Sequence, residues 1–244
     1  MIRIVIPVHG GPTDIDACLT SIREKTTYPD YEICIVDNGS DEATRQAILK
    51  HDPAIYIRLK TNTGFSHACN LGMKTTDADI VLLNSDTIVT KGWLTGLNDA
   101  PGELVGPVTN SAISLNHWKT VKGAPKWADG MDPQAYADEL AKVKGGNTTL
   151  VAHDRILSFF CVLMRRNTIE SIGLLDEEFP LGLGEDNDYC IRVHEAGGKL
   201  TVANDVFVYH KHRTTFKRIM PESEYERLKT AGCNRLMKKW GRLE

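Results

Sequence analysis

Short apolar segments and helix-like patterns alternate along the first third of this chain, and each apolar segment ends in a polar turn. Residues Ile2–Val8, 32–36, Ile55–Leu59 and Asp79–Leu83 have the length and the β-branched content of buried strands. Helix-spaced apolar residues separate them, after a predicted N-cap at Asp14, over 41–49 and over 66–74. This order predicts an α/β fold with a mostly parallel central sheet flanked by helices and a Rossmann-like N-terminal half.

The second half of the chain is less regular. Strands are predicted over Leu104–Val108, 157–164 and 202–209, and a terminal helix over 221–240 with proline in its first turn. Residues 116–147 are polar and carry one predicted helix over Pro133–Lys144. We expect this segment to be an insertion that lies over one edge of the sheet.

Composition and missing motifs narrow the class of protein. With 244 residues, 41% of them hydrophobic, the chain can bury a substantial core. The net charge of −3 argues against a nucleic-acid-binding protein, although the charge is uneven, at −9 over residues 1–210 and +6 over residues 211–244. The sequence has no dinucleotide-binding G-x-G-x-x-G loop, no P-loop and no G-x-S-x-G elbow, which argues against hydride transfer, P-loop chemistry and elbow-type acyl transfer.

Cysteine usage and hydropathy predict the cellular compartment in which the protein lies. The six cysteines are widely spaced and form no C-x-x-C pair, which predicts reduced thiols in the cytosol. The longest apolar stretch, 156–164, has nine residues, well short of the roughly 20 that cross a bilayer. The first residues lack the pattern of a signal peptide. We therefore expect a cytoplasmic protein with neither a membrane span nor an export signal.

Polar residues directly follow three of the predicted strands. They are Pro7-Val8-His9, Asp37-Asn38-Gly39-Ser40 and Asn84-Ser85-Asp86. Ligands of open parallel sheets bind beyond the carboxyl ends of the strands, which is where these residues are expected. Each set alone is explained as well by an ordinary turn. Taken together, the three sets predict one binding crevice.

Two further groups of residues could carry chemistry in that crevice. Asp86 would project from a strand end, where one carboxylate suits Mg²⁺ or Mn²⁺ bound jointly with the phosphates of a substrate. His210 ends a later predicted strand and is a second candidate ligand. Glu185, Asp186 and Asp188 lie at the start of a helical pattern. They suit helix capping, a general base, or both, since different acids can serve each role.

These segments, in this order, resemble those of the family 2 inverting glycosyltransferases with the GT-A nucleotide-sugar fold. The resemblance extends to about Phe216 and rests on six motifs, at 5–8, 35–41, 62–65 with 70–72, 83–87, 173–179 and 184–188. We expect a catalytic domain over 1–218, made of a nucleotide-binding half over 1–110, the insertion at 116–147 and an acceptor half over 150–218. Residues 219–244 would form a C-terminal helical extension.

The resemblance also implies roles for individual residues. Asp186, beside Glu185, matches the catalytic base, and Asp86 with His210 matches the ligands of a divalent cation, Mn²⁺ or Mg²⁺. Asp37 would recognise the nucleobase of the donor, commonly uracil. Asn84 stands where the first acid of the family's D-x-D motif usually lies, a departure shared with rhamnosyltransferase-like members. The residues expected to bind the donor are Pro7, Val8, His9, Asp37, Asn62, Gly64, Asn70, Asn84, Ser85 and Arg213.

The function that follows is an inverting, metal-assisted transfer of a sugar from a nucleotide-diphosphate sugar to an acceptor hydroxyl by single displacement. A UDP-sugar is the first expectation and a dTDP-sugar the second, and the acceptor is left open among saccharides, lipid-linked sugars and proteins. Trp118 and Trp127 of the insertion could stack on an acceptor or anchor the insertion to the sheet. Two other functions stay open, an inactive sugar-nucleotide or glycan-binding module and a sugar-1-phosphate nucleotidyltransferase.

The basic C-terminal part of the chain has two expected uses. Residues 210–216, which include Arg213, would close over the diphosphate or form an ordinary solvated stretch. Residues 225–243 carry a rough apolar stripe with Lys and Arg beside it. Such a helix could rest on the inner face of an anionic membrane, pack against a second copy in a homodimer, or pack on the core.

Overall fold

The computed structural model describes residues 1–112, 114–179, 182–211 and 220–241. The elements, in chain order, are β1 (Ile2–Val8), α1 (Pro12–Lys25), β2 (Tyr31–Asn38), α2 (Glu42–Leu49), β3 (Ile55–Leu59), α3 (Phe65–Met73), β4 (Asp79–Leu83), β5 (Thr87–Val89), α4 (Trp93–Asp99), β6 (Leu104–Val108), α5 (Pro133–Lys144), β7 (Thr148–Leu150), β8 (Cys161–Met164), α6 (Arg166–Ile172), α7 (Glu185–Glu195), β9 (Leu200–His210) and α8 (Glu222–Trp240). The predicted domain boundary at 218, together with Arg213, lies outside the described residues.

One mixed sheet carries the fold. Within the described ranges the strand order is β3-β2-β1-β4-β8-β6-β9-β5, with β7 paired to β9. Strands β1 to β4 pair in parallel, as the predicted Rossmann-like half requires. The predicted α/β fold is therefore confirmed.

In the second half of the chain the sheet is mixed, because β6 and β9 pair in parallel whereas β8 does not. Strand β8 runs antiparallel to both β4 and β6, with Met164 opposite Leu104 at the start of β6. The chain leaves β6 at its carboxyl end and, after α5 and β7, enters β8 from that same end. Strand β7 first carries the chain back to the level of Leu200, opposite the start of β6, and residues 151–160 then return it to the carboxyl end of β4, from which β8 runs antiparallel to its neighbours.

Most predicted element bounds agree with the structure within two residues, and three differences are described in turn. Helix α1 begins at Pro12, with Gly11 as its N-cap, so Asp14 lies in the first turn and is not the cap as predicted. Strand β8 begins at Cys161 and not at 157, because residues 157 and 158 have no regular structure and residues 159 and 160 form a turn. The terminal helix begins at Glu222, and Pro221 is its N-cap.

The sheet is buried on both faces, which is why its central strands are apolar throughout. On one face, Ile4 and Ile6 of β1 pack in the same cluster as Ile15 of α1. On the other, Val5 packs in the same cluster as Cys69 of α3. Burial of successive side chains on opposite faces pins the register of β1, since a slip of one residue would exchange the two faces.

Trp127 anchors the insertion to the sheet. Its ring stacks on Phe207 of β9 with centroids 5.3 Å apart and meets Tyr136 of α5 edge-on at 5.2 Å. Trp127 is 7% exposed, whereas Trp118 is half-buried at the margin of the same cluster. Of the two uses expected for these tryptophans, Trp127 serves the anchoring one.

In the described ranges, no helix is long and apolar enough to cross a membrane. All six cysteines lie in those ranges and none forms a disulfide. Five of them are buried and Cys233 of α8 is half-buried.

The anchoring role of Trp127 predicts a large loss of stability on its removal. Trp127→Ala should lower the free energy of unfolding by about 3–5 kcal/mol, because a buried aromatic side chain leaves a cavity between α5 and β9. Urea denaturation followed by circular dichroism measures this change. Trp118→Ala is the matched control and should cost clearly less, since Trp118 is only half-buried. Equal losses for the two variants would contradict the assignment.

Candidate active site

A cavity of about 620 Å³ opens at the carboxyl ends of β1 and β4. Its walls come from these strand ends, the turn after β2, the end of β9 and the start of α7. The crevice predicted from the strand-end residues therefore exists. Eleven predicted site residues line it, namely Pro7, Val8, His9, Asn62, Gly64, Asn84, Ser85, Asp86, Glu185, Asp186 and His210.

Asp37 and Asn70 lie behind the pocket and are absent from its lining. Asp37 is fully buried; its carboxylate accepts a hydrogen bond from Tyr56 at 2.7 Å and lies 3.3 Å from Arg58. The Asn70 side chain holds the backbone of Leu175 through hydrogen bonds of 2.9 and 3.0 Å. As the structure stands, both residues brace the loops around the pocket, and their contact with a donor stays a prediction.

Asn38 organises the wall of the pocket after β2, and the sequence analysis assigned it no role. Its amide nitrogen donates to Asn62 Oδ1 and to the carbonyl of Gly64, each at 3.0 Å. Its amide oxygen accepts from the N–H of Thr63 at 2.8 Å. The side chain thus fixes residues 62–64 against β2. Its place directly after a strand was the available signal.

Asp86 and His210 meet at the centre of the pocket. Asp86 Oδ1 lies 3.2 Å from His210 Nε2, and each side chain is 9% exposed. The His210 ring stacks on Phe160 with centroids 5.1 Å apart and planes 14° from parallel. The sequence analysis predicted these residues as two separate candidate ligands. The structure brings them together because β5 and β9 run side by side in the sheet.

Asn110 holds the backbone of His210 and was missed by the sequence analysis. Its Oδ1 accepts from the N–H of His210 at 2.8 Å, and its Nδ2 donates to the carbonyl of His210 at 3.1 Å. These two bonds fix where β9 ends. Asn110 comes two residues after β6, so the strand-end rule that singled out Asp86 applies to it as well.

The Asp86 and His210 pair fits a divalent cation that is shared with a bound diphosphate. The described ranges contain no group of three or more His, Cys, Asp or Glu side chains placed to hold a metal ion. Mg²⁺ and Mn²⁺ accept few protein ligands when substrate phosphates and water complete their coordination. A carboxylate oxygen and an imidazole nitrogen, both nearly buried and both facing the pocket, suit these ions.

Helix α7 begins at the pocket with two acids. The chain enters it through Gly184, whose φ of 114° lies in the region that favours glycine. Burial raises the pKa of Asp186 to about 6, although hydrogen bonds from backbone N–H groups at the helix start work in the opposite direction. Asp186 is therefore a carboxylate that can both accept and release a proton near neutral pH.

Glu185 is more deeply buried than Asp186. It is 4% exposed, and its Oε2 has no hydrogen-bond partner among the described residues. Burial first, and repulsion by Asp186 and Asp188 after it, raise the pKa of Glu185 well above its usual value. Glu185 therefore holds its proton to a higher pH than an ordinary glutamate does.

Comparison with known proteins agrees with this geometry. The family model described as "Glycosyl transferase family 2" matches residues 3–100. The O-antigen biosynthesis protein RfbC of Myxococcus xanthus is 24% identical over 236 residues, which cover 92% of this chain and 18% of that protein.

Solved structures show the same fold. The mannosyltransferase PcManGT from Pyrobaculum calidifontis, in complex with GDP-Man and Mn²⁺, superposes with a TM-score of 0.60 at 17% identity, covering 86% of this chain and 56% of that one. GalNAc-T7 with UDP, GalNAc and Mn²⁺ gives 0.62 at 16% identity, covering 86% and 43%.

The fold is that of the GT-A glycosyltransferases. The family 2 glycosyltransferase model matches residues 3–100, and curated glycosyltransferases align over most of the chain. The resemblance read from the sequence motifs is thereby confirmed. The chain spans less than half the length of the first curated relatives that it matches.

The burial of Glu185 predicts a pH-dependent gain of stability when its charge is removed. A carboxyl whose folded pKa lies above its unfolded value stabilises the fold while protonated, and this contribution is lost as the pH rises through the folded pKa. Glu185→Gln should therefore gain stability over the wild type progressively as the pH rises from about 4.5 through neutrality. Urea denaturation across that range measures it.

Glu24→Gln is the matched control, because Glu24 is exposed on α1. Its difference from the wild type should not change with pH. A Glu185→Gln profile parallel to that of the wild type would show that Glu185 is charged in the folded protein and would contradict its raised pKa.

Proposed function

We propose that the chain transfers a sugar from a nucleotide-diphosphate sugar to an acceptor hydroxyl, with inversion at the anomeric carbon. The observation that carries this proposal is one pocket that combines the Asp86 and His210 pair with the carboxylate of Asp186, whose pKa is raised to about 6. A cation-binding pair and a base of this kind are what a displacement at a sugar diphosphate requires.

The donor lies along the wall formed by β1 and the turns after β2 and β3. Asn62 and Gly64, which Asn38 holds in place, line the part of the pocket that would receive the nucleoside. A UDP-sugar is the first candidate donor and a dTDP-sugar the second. The GalNAc-T7 structure contains UDP and the PcManGT structure contains GDP-Man, each with Mn²⁺, which supports a nucleotide-sugar donor and a divalent cation for this fold.

Asp86 and His210 would hold a divalent cation beside the diphosphate. When bound, such an ion supplies Lewis-acid stabilisation of the charge that develops on the leaving phosphate oxygen. Asn110 keeps His210 in position through its two backbone hydrogen bonds, and Phe160 fixes the plane of the imidazole ring. The protein thus prepares both ligands before the donor arrives, so that little reorganisation is needed during the reaction.

Asp186 is the general base. It accepts the proton of the acceptor hydroxyl while that oxygen forms its bond to the anomeric carbon and the bond from that carbon to the phosphate oxygen breaks. A single displacement of this kind inverts the anomeric carbon and needs no covalent enzyme intermediate. Burial prepares Asp186 for the task, since a carboxylate with a pKa of about 6 binds a proton more strongly than an ordinary aspartate.

The donor and the cation are tested together by incubating the protein with UDP-, dTDP- and GDP-sugars. We expect release of the nucleoside diphosphate from one donor class with Mn²⁺ or Mg²⁺ and loss of that release with EDTA. Asp86→Asn should lower turnover at least about 100-fold. Chromatography of the nucleotide products measures this. Binding without turnover of any donor would favour the inactive binding module, and formation of a nucleotide sugar from a sugar 1-phosphate would favour the nucleotidyltransferase.

The role of Asp186 is tested by Asp186→Asn. Removal of the base should lower kcat about 10²- to 10⁴-fold while UDP affinity stays within about twofold. In the wild type, kcat/KM should fall about tenfold per pH unit below pH 6, because Asp186 must be deprotonated to accept a proton. Asp129→Asn, an exposed acid of the insertion, is the control and should behave as the wild type. A full rate for Asp186→Asn would exclude this residue as the base.

A further inference from the structure

The C-terminal helix α8 forms part of the pocket. Tyr225, Lys229, Cys233 and Leu236 all line the cavity. They are spaced by four, four and three residues, so they occupy one face of the helix. The helix therefore contributes a continuous wall to the same pocket that contains Asp186.

This wall is packed closely against the chain. Gly232 is buried, and a Cβ atom at this position would overlap the carbonyl oxygen of Leu183. Leu236, one turn further on, is buried with Phe179 and with Ile191 of α7. The missing side chain of Gly232 is thus what lets the helix backbone approach the segment that leads into α7.

A buried acid of α7 holds the far end of α8. Asp188 is fully buried, and its Oδ1 accepts from Lys239 Nζ at 2.7 Å and from Trp240 Nε1 at 2.9 Å. Its Oδ2 accepts from Arg192 Nε at 2.9 Å, which ties the same carboxylate to α7. Because a buried charge is costly without partners, the position of α8 is linked to that of α7.

Asp176 provides a second attachment. It accepts from Arg235 at 2.8 Å and from Lys239 at 2.9 Å. Partial burial opposes its ionisation, but these bonds, together with one from the backbone N–H of Glu178, hold the pKa of Asp176 well below its usual value. Lys239 therefore bridges two acids that flank the entry into α7.

The contacts of α8 put it at the acceptor end of the pocket. The donor wall is built from the ends of β1 to β3, and none of the contacts that seat α8 involves those strands. They involve residues 176–191, the segment that carries Asp186 into the pocket. The acceptor hydroxyl must reach Asp186, so the surface next to this segment faces the acceptor.

We propose that α8 is the acceptor-side wall of the active site, that Tyr225 and Lys229 contact the acceptor, and that Asp176 and Asp188 position the helix so that it limits the entry of water. This inference rests on the proposed function. The ring of Tyr225 suits the apolar face of a sugar, and the ammonium of Lys229 can donate to its hydroxyl groups. Limiting water favours transfer to a bound hydroxyl over hydrolysis of the donor.

The seating of α8 can be followed through Cys233. This thiol lies on the pocket face of the helix and is half-buried, while the other five cysteines are buried. Alkylation of Cys233 by iodoacetamide, a neutral reagent, is measured by mass spectrometry of the labelled peptide at one fixed pH. Lys239→Ala removes a contact to both acids and leaves Asp188 with Arg192 and Trp240. Gly232→Ala displaces the helix without changing any charge.

Both variants should label Cys233 at least about tenfold faster than the wild type, because the helix opens more often. Lys239→Arg keeps the cation and should stay within about threefold. Lys238→Ala, on the exposed side of α8, is the matched control and should label as the wild type. Unchanged labelling in both Lys239→Ala and Gly232→Ala would overturn the proposed seating.

The acceptor side is tested with UDP and with water as the probes. Tyr225→Ala and Lys229→Ala should leave UDP affinity, measured by calorimetry with Mn²⁺, within about twofold. The nucleotide sugar that the wild type turns over in the donor experiment is then used to measure hydrolysis. Its rate of hydrolysis should rise in Tyr225→Ala and in Lys239→Ala, because water reaches the pocket more easily.

A fall in UDP affinity of more than about fivefold in Tyr225→Ala or Lys229→Ala would put these residues on the donor side and overturn the proposal. A fall in hydrolysis at unchanged UDP affinity would overturn the water-limiting role. If no donor is turned over by any variant, the proposed function fails, whereas the labelling of Cys233 still decides whether α8 is seated as a wall of the pocket.

Discussion

The antiparallel pairing of β5 with β9 is the constraint on which the site depends. It sets Thr87 opposite His210, and the N–H of Lys211 extends the ladder to the carbonyl of Asp86 at 3.0 Å. Residues far apart in the chain thereby present a carboxylate and an imidazole 3.2 Å apart. Both strands are anchored in the core through neighbours such as Val89 and Val208, so the distance is a property of the sheet and not of two mobile loops. The cation-binding pair is preorganised for this reason.

Three acids in the first turn of α7 show how burial assigns different tasks to similar side chains. Asp186 faces the pocket and has its pKa raised to about 6, which suits a base. Glu185 is more deeply buried, and its pKa lies well above the usual value, so it holds its proton to a higher pH than an ordinary glutamate does. Asp188 is fully buried, and its carboxylate accepts hydrogen bonds from Arg192, Lys239 and Trp240. A helix N-terminus alone would favour all three as anions, whereas burial raises the pKa of Glu185 and of Asp186.

The alternation of apolar strands and amphipathic helices was sufficient to predict the parallel half, and the ends of predicted strands located Pro7, Val8, His9, Asn84, Ser85, Asp86 and His210 of the pocket. Asn62 and Gly64 came from the family resemblance, and Glu185 and Asp186 from the start of a helical pattern. Two features of the structure could not be predicted from the sequence. The direction of β8 depends on where the chain returns after the insertion, which periodicity does not encode. The roles of Asn38 and Asn110 depend on which backbone groups face them across the fold, although both follow strands directly enough to be candidates. Asp37, by contrast, was named as a pocket residue and is buried behind the wall by Tyr56.

The uneven charge of the chain acquires a physical meaning in this fold. Two of the basic residues beyond position 210, Arg235 and Lys239, are bound to Asp176 and Asp188 of the acidic part. Part of the apolar stripe beside them is likewise occupied, since Leu236 is buried with Phe179 and Trp240 packs against the same cluster. An anionic membrane would have to replace contacts to a fully buried carboxylate, which screening by water and salt weakens little. Attraction between the basic helix and the acidic segment is therefore used within the molecule, where it completes the pocket around Asp186.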